Sequence, residues 1–227
     1  MFNPKKQQQI LSSITQKELF MNLYLTQVIF LTVAILLSIV FDQDLHQWKK
    51  MMTFDPIIVL LWSFPVAFAV ILFDLILWKI MPQAWVDDGG INERIFSEIS
   101  LFHLALLALV ISVSEELLFR GVLQNNIGYI PASLLFALMH IRYLMKPLLL
   151  IVATVISLIL GGLFLWTENL LVPIVIHFLI DFVLGLMIRF NWFSPRKKGT
   201  LEQMEKMDIK ENEGGARECH TMTKLQN

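Results

Sequence analysis

The sequence predicts an all-α protein, a polytopic membrane bundle of about six transmembrane helices enclosing a polar chamber. Three observations predict it. Of 227 residues, 56% are hydrophobic and 16% charged, where a soluble domain carries about 25% charged residues. Between positions 99 and 188 only seven charges occur: Glu115, Glu116, Arg120, Arg142, Lys146, Glu168 and Asp181. The apolar residues also gather into long runs, with none of the alternation of a barrel strand. This composition excludes disordered, disulfide-framed and collagen-like classes. A net charge of −1 offers no basic field to a nucleic acid. The single cysteine, Cys219, has no internal partner. It is no prenylation signal either, because the chain runs eight residues beyond it.

Residues 1–20 are expected to form a cytoplasmic N-terminal segment, 21–192 the membrane domain with its working core in about 99–190, and 193–227 a polar cytoplasmic tail. The first run, 21–41, is too long for a signal-peptide core, and no small-residue cleavage site follows it. The second spans 56–78, and the third, 99–123, is interrupted by a charged cluster. The fourth, 127–140, is short, as a half-buried or tilted helix would be. The fifth and sixth, 148–166 and 170–188, are separated only by Thr167, Glu168 and Asn169. Most runs approach or exceed the roughly 20 residues a helix needs to cross hydrocarbon. Helices are the forced choice, since lipid cannot satisfy exposed backbone groups.

Six crossings put both termini on one side. Lys5, Lys6, Lys17, Lys79, Arg94, Arg142, Lys146, Arg196, Lys197 and Lys198 fall there, against Lys49 and Lys50 opposite. The bias predicts cytoplasmic termini in a cell membrane. Trp48, Trp62, Trp78, Trp85, Trp166 and Trp192 mostly fall near span ends, as an interfacial belt does.

A charge inside a bilayer costs several kcal/mol, so those that persist are paired, face a wet cavity or carry function. In the third run, Glu116 and Arg120 are i and i+4 and pair on one face. Glu115 is turned about 100° away and takes its partner from another helix. Candidates are His140, four residues after Phe136, and His177, four before Asp181. At 1.5 Å per residue, Glu115, His140 and His177 reach middle depth from the same side, about 10–20 Å inside their helix ends. Among the other polar residues, Asp74 is expected to snorkel or pair structurally and His103 to sit in the interface. Ser112 and Ser114 lack a Gly-x-Ser-x-Gly elbow and read as packing residues, as do Gly161 and Gly162.

Glu115-Glu116-x-x-x-Arg120, Phe136-x-x-x-His140 and His177-x-x-x-Asp181 resemble, in order and spacing, the motifs of the CPBP family of intramembrane proteases, also called the Abi family. That family contains CAAX prenyl endopeptidases and bacteriocin-processing and immunity proteins. The resemblance covers about 112–181 and implies a membrane endopeptidase acting on a peptide or prenylated precursor. It also implies that Glu115 and His140 hold the attacking water, while His177 and Asp181 surround the oxyanion. In many members an Asn stands where this chain has Asp181. The residues themselves support the same division of labour, with Glu116 and Arg120 orienting the helix. No cofactor is expected. A zinc-dependent version of the same protease is the rival chemistry. A non-proteolytic immunity scaffold or transporter is the rival class.

Overall fold

A computed structural model describes residues 14–86, 88–143 and 146–192. The polar tail expected over 193–227 lies outside the described residues, as do positions 1–13 of the N-terminal segment. The described elements are helical: α1 (Gln16–Val40), α2 (Leu45–Met51), α3 (Pro56–Ile80), α4 (Gln83–Val86), α5 (Ile91–Phe96) and α6 (Leu101–Glu116). The last winds on as a π-helix over Leu117–Gln124 and a final turn, α7 (Asn125–Ile127). Then come α8 (Tyr129–Met139), a 3₁₀ turn (Ile141–Tyr143), α9 (Pro147–Thr167) and α10 (Leu171–Arg189). Among the described residues, five helices are long and apolar enough to cross a bilayer, and α8 is a shorter apolar one. The expected all-helical bundle of about six membrane helices is thus the observed architecture.

Polar caps start the spans. Thr15 and Glu18 close a capping box on α1, with Glu18 N donating to Thr15 Oγ1 at 3.3 Å and Thr15 N to Glu18 Oε2 at 2.7 Å. Asp55 accepts from Ile57 N and Ile58 N ahead of Pro56, whose missing N–H is harmless at the first helical position. Ser100 caps α6 by accepting from His103 N at 3.2 Å. Glu168 ends α9 in the left-handed region at φ 49°.

Polar contacts tie the connections together at the two ends of the bundle. At one end, Lys50 Nζ meets Glu168 Oε2 at 2.8 Å and Asn169 Nδ2 donates to Thr53 O at 2.8 Å. At the other, Arg94 Nη2 donates to Ile14 O at 2.6 Å. Lys50 also holds the Glu168 carboxyl below the usual carboxylate range, through a hydrogen bond and its charge. The core is divided among helix interfaces: Val59, Ala67 and Val70 of α3 meet Val172, Ile176 and Ile180 of α10. Phe30 and Ala34 of α1 meet Leu118, Phe119, Val122 and Phe136.

Three local outcomes refine the sequence reading. The short fourth run forms an 11-residue helix that ends at Met139, leaving His140 just past its last turn. At 1.5 Å per residue α8 spans about 16 Å, half the hydrocarbon thickness. Asp74 is half-buried and has no hydrogen bond among the described residues, so the structural pair expected for it is not formed there. His103 pairs with the Tyr24 hydroxyl at 2.9 Å and lies against Phe20.

Candidate active site

The site is assembled around the junction between α6 and its π-helical continuation. Glu116 has no exposed surface and Arg120 is 1% exposed. Arg120 Nη1 donates to Glu116 Oε1 at 3.1 Å, the pair expected from their i, i+4 spacing. The other arm of the guanidinium, Nη2, donates to Ser157 O and Ser157 Oγ of α9, both at 3.0 Å. Its face covers the Phe136 ring at 4.4 Å from the centroid, a cation–π contact in a desolvated setting. Ser157 Oγ in turn donates to Ser133 O of α8 at 3.0 Å. Arg120 therefore ties together the π-helix, α8 and α9.

His177 enters this network from α10. Its Nδ1 lies 2.9 Å from Glu116 Oε1, and since a carboxylate only accepts, Nδ1 carries the proton. Its Nε2 faces Asp181 Oδ2 at 3.5 Å, one helical turn on. Glu116 Oε1 thus serves both a guanidinium and an imidazole, while Glu116 Oε2 is buried with no partner among the described residues. The Asp181 side chain is 30% exposed, against 10% for His177.

Glu115 is placed differently from its neighbour. It is 8% exposed, and no hydrogen bond among the described residues reaches its carboxylate. It lies within Coulombic reach of His177, Asp181, Glu116 and Arg120. No hydrogen bond joins Glu115 to either histidine: the carboxylate that His177 touches is Glu116. His140 packs against Phe136 with ring centroids 4.9 Å apart and stacks on Tyr143 at 5.6 Å, with Nδ1 3.0 Å from Phe136 O. Phe136 also meets the His177 ring edge-on at 6.0 Å. One aromatic ring therefore separates and touches both histidines and Arg120.

Phe136 enters the sequence analysis only as a motif position, and no spacing in sequence marks its place between the polar groups. Gln124 was missed as well. It donates through Nε2 to Gly161 O at 2.8 Å and continues the stripe Glu116, Arg120, Gln124 at steps of four, a signal present in the sequence. Ser133 and Ser157 gave no signal beyond being polar in apolar runs. Ser112 and Ser114 are buried helix-packing residues: Ser112 Oγ donates to Leu109 O at 3.0 Å, and Ser114 Oγ bonds Val110 O at 2.7 Å and lies against Gln27 of α1. Gly161 gives the close approach expected, with Gln124 and Tyr129 where a side chain would stand.

Among the described residues no three His, Cys, Asp or Glu side chains form a ligand group.

Fold and network together define a multi-pass membrane protein built around an intramembrane ionisable centre. Residues 97–183 match the family described as type II CAAX prenyl endopeptidase Rce1-like. The chain is also 42% identical over 167 residues to the uncharacterized protein YpbD of Bacillus subtilis (strain 168), covering 74% of this chain and 88% of that one. The chain belongs to the Rce1-like family, a family of CAAX-type membrane endopeptidases. No solved structure matches it.

Proposed function

We propose that the protein is an intramembrane endopeptidase that cleaves a peptide bond in a membrane-associated precursor, using water activated by Glu115. The observation that carries this reading is the division between two adjacent carboxylates. Glu116 is committed to Arg120 and His177, whereas Glu115 is buried with no hydrogen bond among the described residues. A buried carboxylate left free beside fixed charges is poised to bind and deprotonate water.

In this mechanism Glu115 takes a proton from water as its oxygen attacks the scissile carbonyl, and His140 holds the same water. The carbonyl becomes a tetrahedral oxyanion, to which the protonated Nε2 of His177 donates a hydrogen bond in place of its 3.5 Å contact with Asp181, while Nδ1 stays on Glu116. The proton held by Glu115 then passes to the leaving amine as the carbon–nitrogen bond breaks. Glu116 and Asp181 fix the His177 ring, and Arg120 balances Glu116. No step needs a metal. The Lys/Arg distribution supports placement in the cell membrane with both termini cytoplasmic. The test compares the membrane peptidomes of cells carrying wild type or Glu115→Ala. An uncleaved precursor should accumulate in the variant, and identical peptidomes at equal protein abundance would refute the reading.

A further inference from the structure

The connector between α1 and α3 touches both helices that carry the site. Gln43 Nε2 donates to Gly121 O at 3.1 Å, and the same carbonyl accepts from Asn125 Nδ2 at 2.8 Å. Ser38 Oγ, which donates to Ala34 O at 2.8 Å, lies 3.3 Å from Gln43 Oε1. Trp48 lies directly on Gly121: a Cβ added there would stand 2.8 Å from Trp48 Cη2 and 2.9 Å from Cζ3. The same indole packs against the Phe30–Phe119–Phe136 cluster and against the cluster of Met51, Phe164, Leu170 and Ile174.

Beyond Trp48 the connector fastens to the start of α10. Leu170 N donates to Met51 O at 2.8 Å and Asn169 Nδ2 to Thr53 O at 2.8 Å. Gly121 directly follows Arg120, and α10 carries His177 and Asp181. The segment it grips, Leu117–Gln124, is π-helical over eight residues. π-Geometry is rare and is found mostly as single-turn bulges at functional sites, so this length of it needs support from outside the helix. An interfacial tryptophan needs no glycine beneath it; one locked onto the residue after Arg120 does.

We propose that Trp48 and Gln43 are positioning residues for the reaction, seating the π-helical turn so that Glu116 and Arg120 meet His177 in register; this rests on the endopeptidase reading. Neither touches the reacting atoms. A misplacement near 1 Å at a catalytic constellation costs about 100-fold in rate, so a loosened seat should show in turnover.

The test uses the full-length chain purified in detergent, an internally quenched prenylated CAAX peptide as probe, and hydrogen exchange over 117–124. Gly121→Ala and Trp48→Ala should each speed exchange in that segment and lower kcat about tenfold or more, with KM little changed. Gly121→Ala combined with Trp48→Leu should recover both readouts, because the smaller side chain makes room for the new methyl group. Gln43→Leu should lower kcat, and Gln43→Glu should not restore it, since a carboxylate cannot donate to Gly121 O. The proposal is overturned if the single variants keep wild-type kcat and exchange, or if the double variant is no better than Gly121→Ala. Failure of the endopeptidase reading looks different: wild type would leave the probe uncut while exchange over 117–124 still followed the residue at 48.

Discussion

Replacing Glu116 with alanine removes the one acceptor shared by Arg120 and His177, at 3.1 and 2.9 Å. Arg120 is then left 1% exposed without its hydrogen-bonded carboxylate, and the nearby Glu115 makes no hydrogen bond to it. Stranding one member of a buried ion pair costs about 3–5 kcal/mol. The two bonds to Ser157 persist but bring no opposite charge. The Phe136 face offsets only about 2 kcal/mol of a desolvated cation, and that contact already exists in the wild type. Little can therefore soften the loss. Glu115→Ala is the internal control, because no hydrogen-bonded donor among the described residues depends on Glu115. In a thermal melt of detergent-purified protein, Glu116→Ala should unfold well below wild type, and Glu115→Ala close to it. Cellular abundance should follow the same order, since about 1–2 kcal/mol changes it several-fold. Equal melting of Glu116→Ala and wild type would refute the claim that Glu116 neutralises a buried guanidinium.

Adding a methyl group at Gly161 places it 2.8 Å from Gln124 Oε1 and 2.9 Å from Tyr129 Cε2. Gly161→Ala should destabilise by about 1–3 kcal/mol, whereas at Gly162 the nearest atom is Tyr129 Oη at 3.4 Å and alanine should be close to neutral in the same melt. Asp181 faces His177 Nε2 at 3.5 Å; Asp181→Asn keeps an acceptor for the ring and should retain substantial turnover, while Asp181→Leu should lose nearly all of it. If Asp181→Asn is as inactive as Glu115→Ala, the carboxylate itself takes part in the chemistry. A reporter inserted beside Lys50 should behave as external and one fused after Ser194 as cytoplasmic; the reverse pattern would overturn the orientation.

Much of the architecture could be read from one-dimensional signals. The apolar runs gave the membrane helices because length in hydrocarbon is a property of a contiguous segment. The Glu116–Arg120 pair was legible because both residues sit on one helix at a fixed spacing. Partners from different helices were not. The carboxylate that His177 touches is Glu116, a choice set by how α10 rolls against α6 and not by any spacing in sequence. The end of α8 before His140 was hidden for a related reason: Phe136-Ala137-Leu138-Met139 contains no glycine or proline to mark a stop. The π-winding after Glu116 likewise has no local signature. It is visible only through what it requires, a glycine at 121 under the ring of Trp48. The tryptophan belt leads to an interfacial reading of Trp48 and is silent about its contact with Gly121.

Glu115, and not the neighbour whose Oε1 is shared by Arg120 and His177, is the residue proposed to activate the water. Glu115→Gln keeps the shape of the side chain and removes its ability to take a proton, so single-turnover cleavage of the prenylated CAAX peptide in liposomes, after prolonged chelation, tests the claim directly. Chelated wild type should cleave at an undiminished rate, while chelated Glu115→Gln should melt like wild type and cleave at no measurable rate. Cleavage by Glu115→Gln at the wild-type rate, or wild-type activity lost on chelation and recovered with zinc, would contradict it.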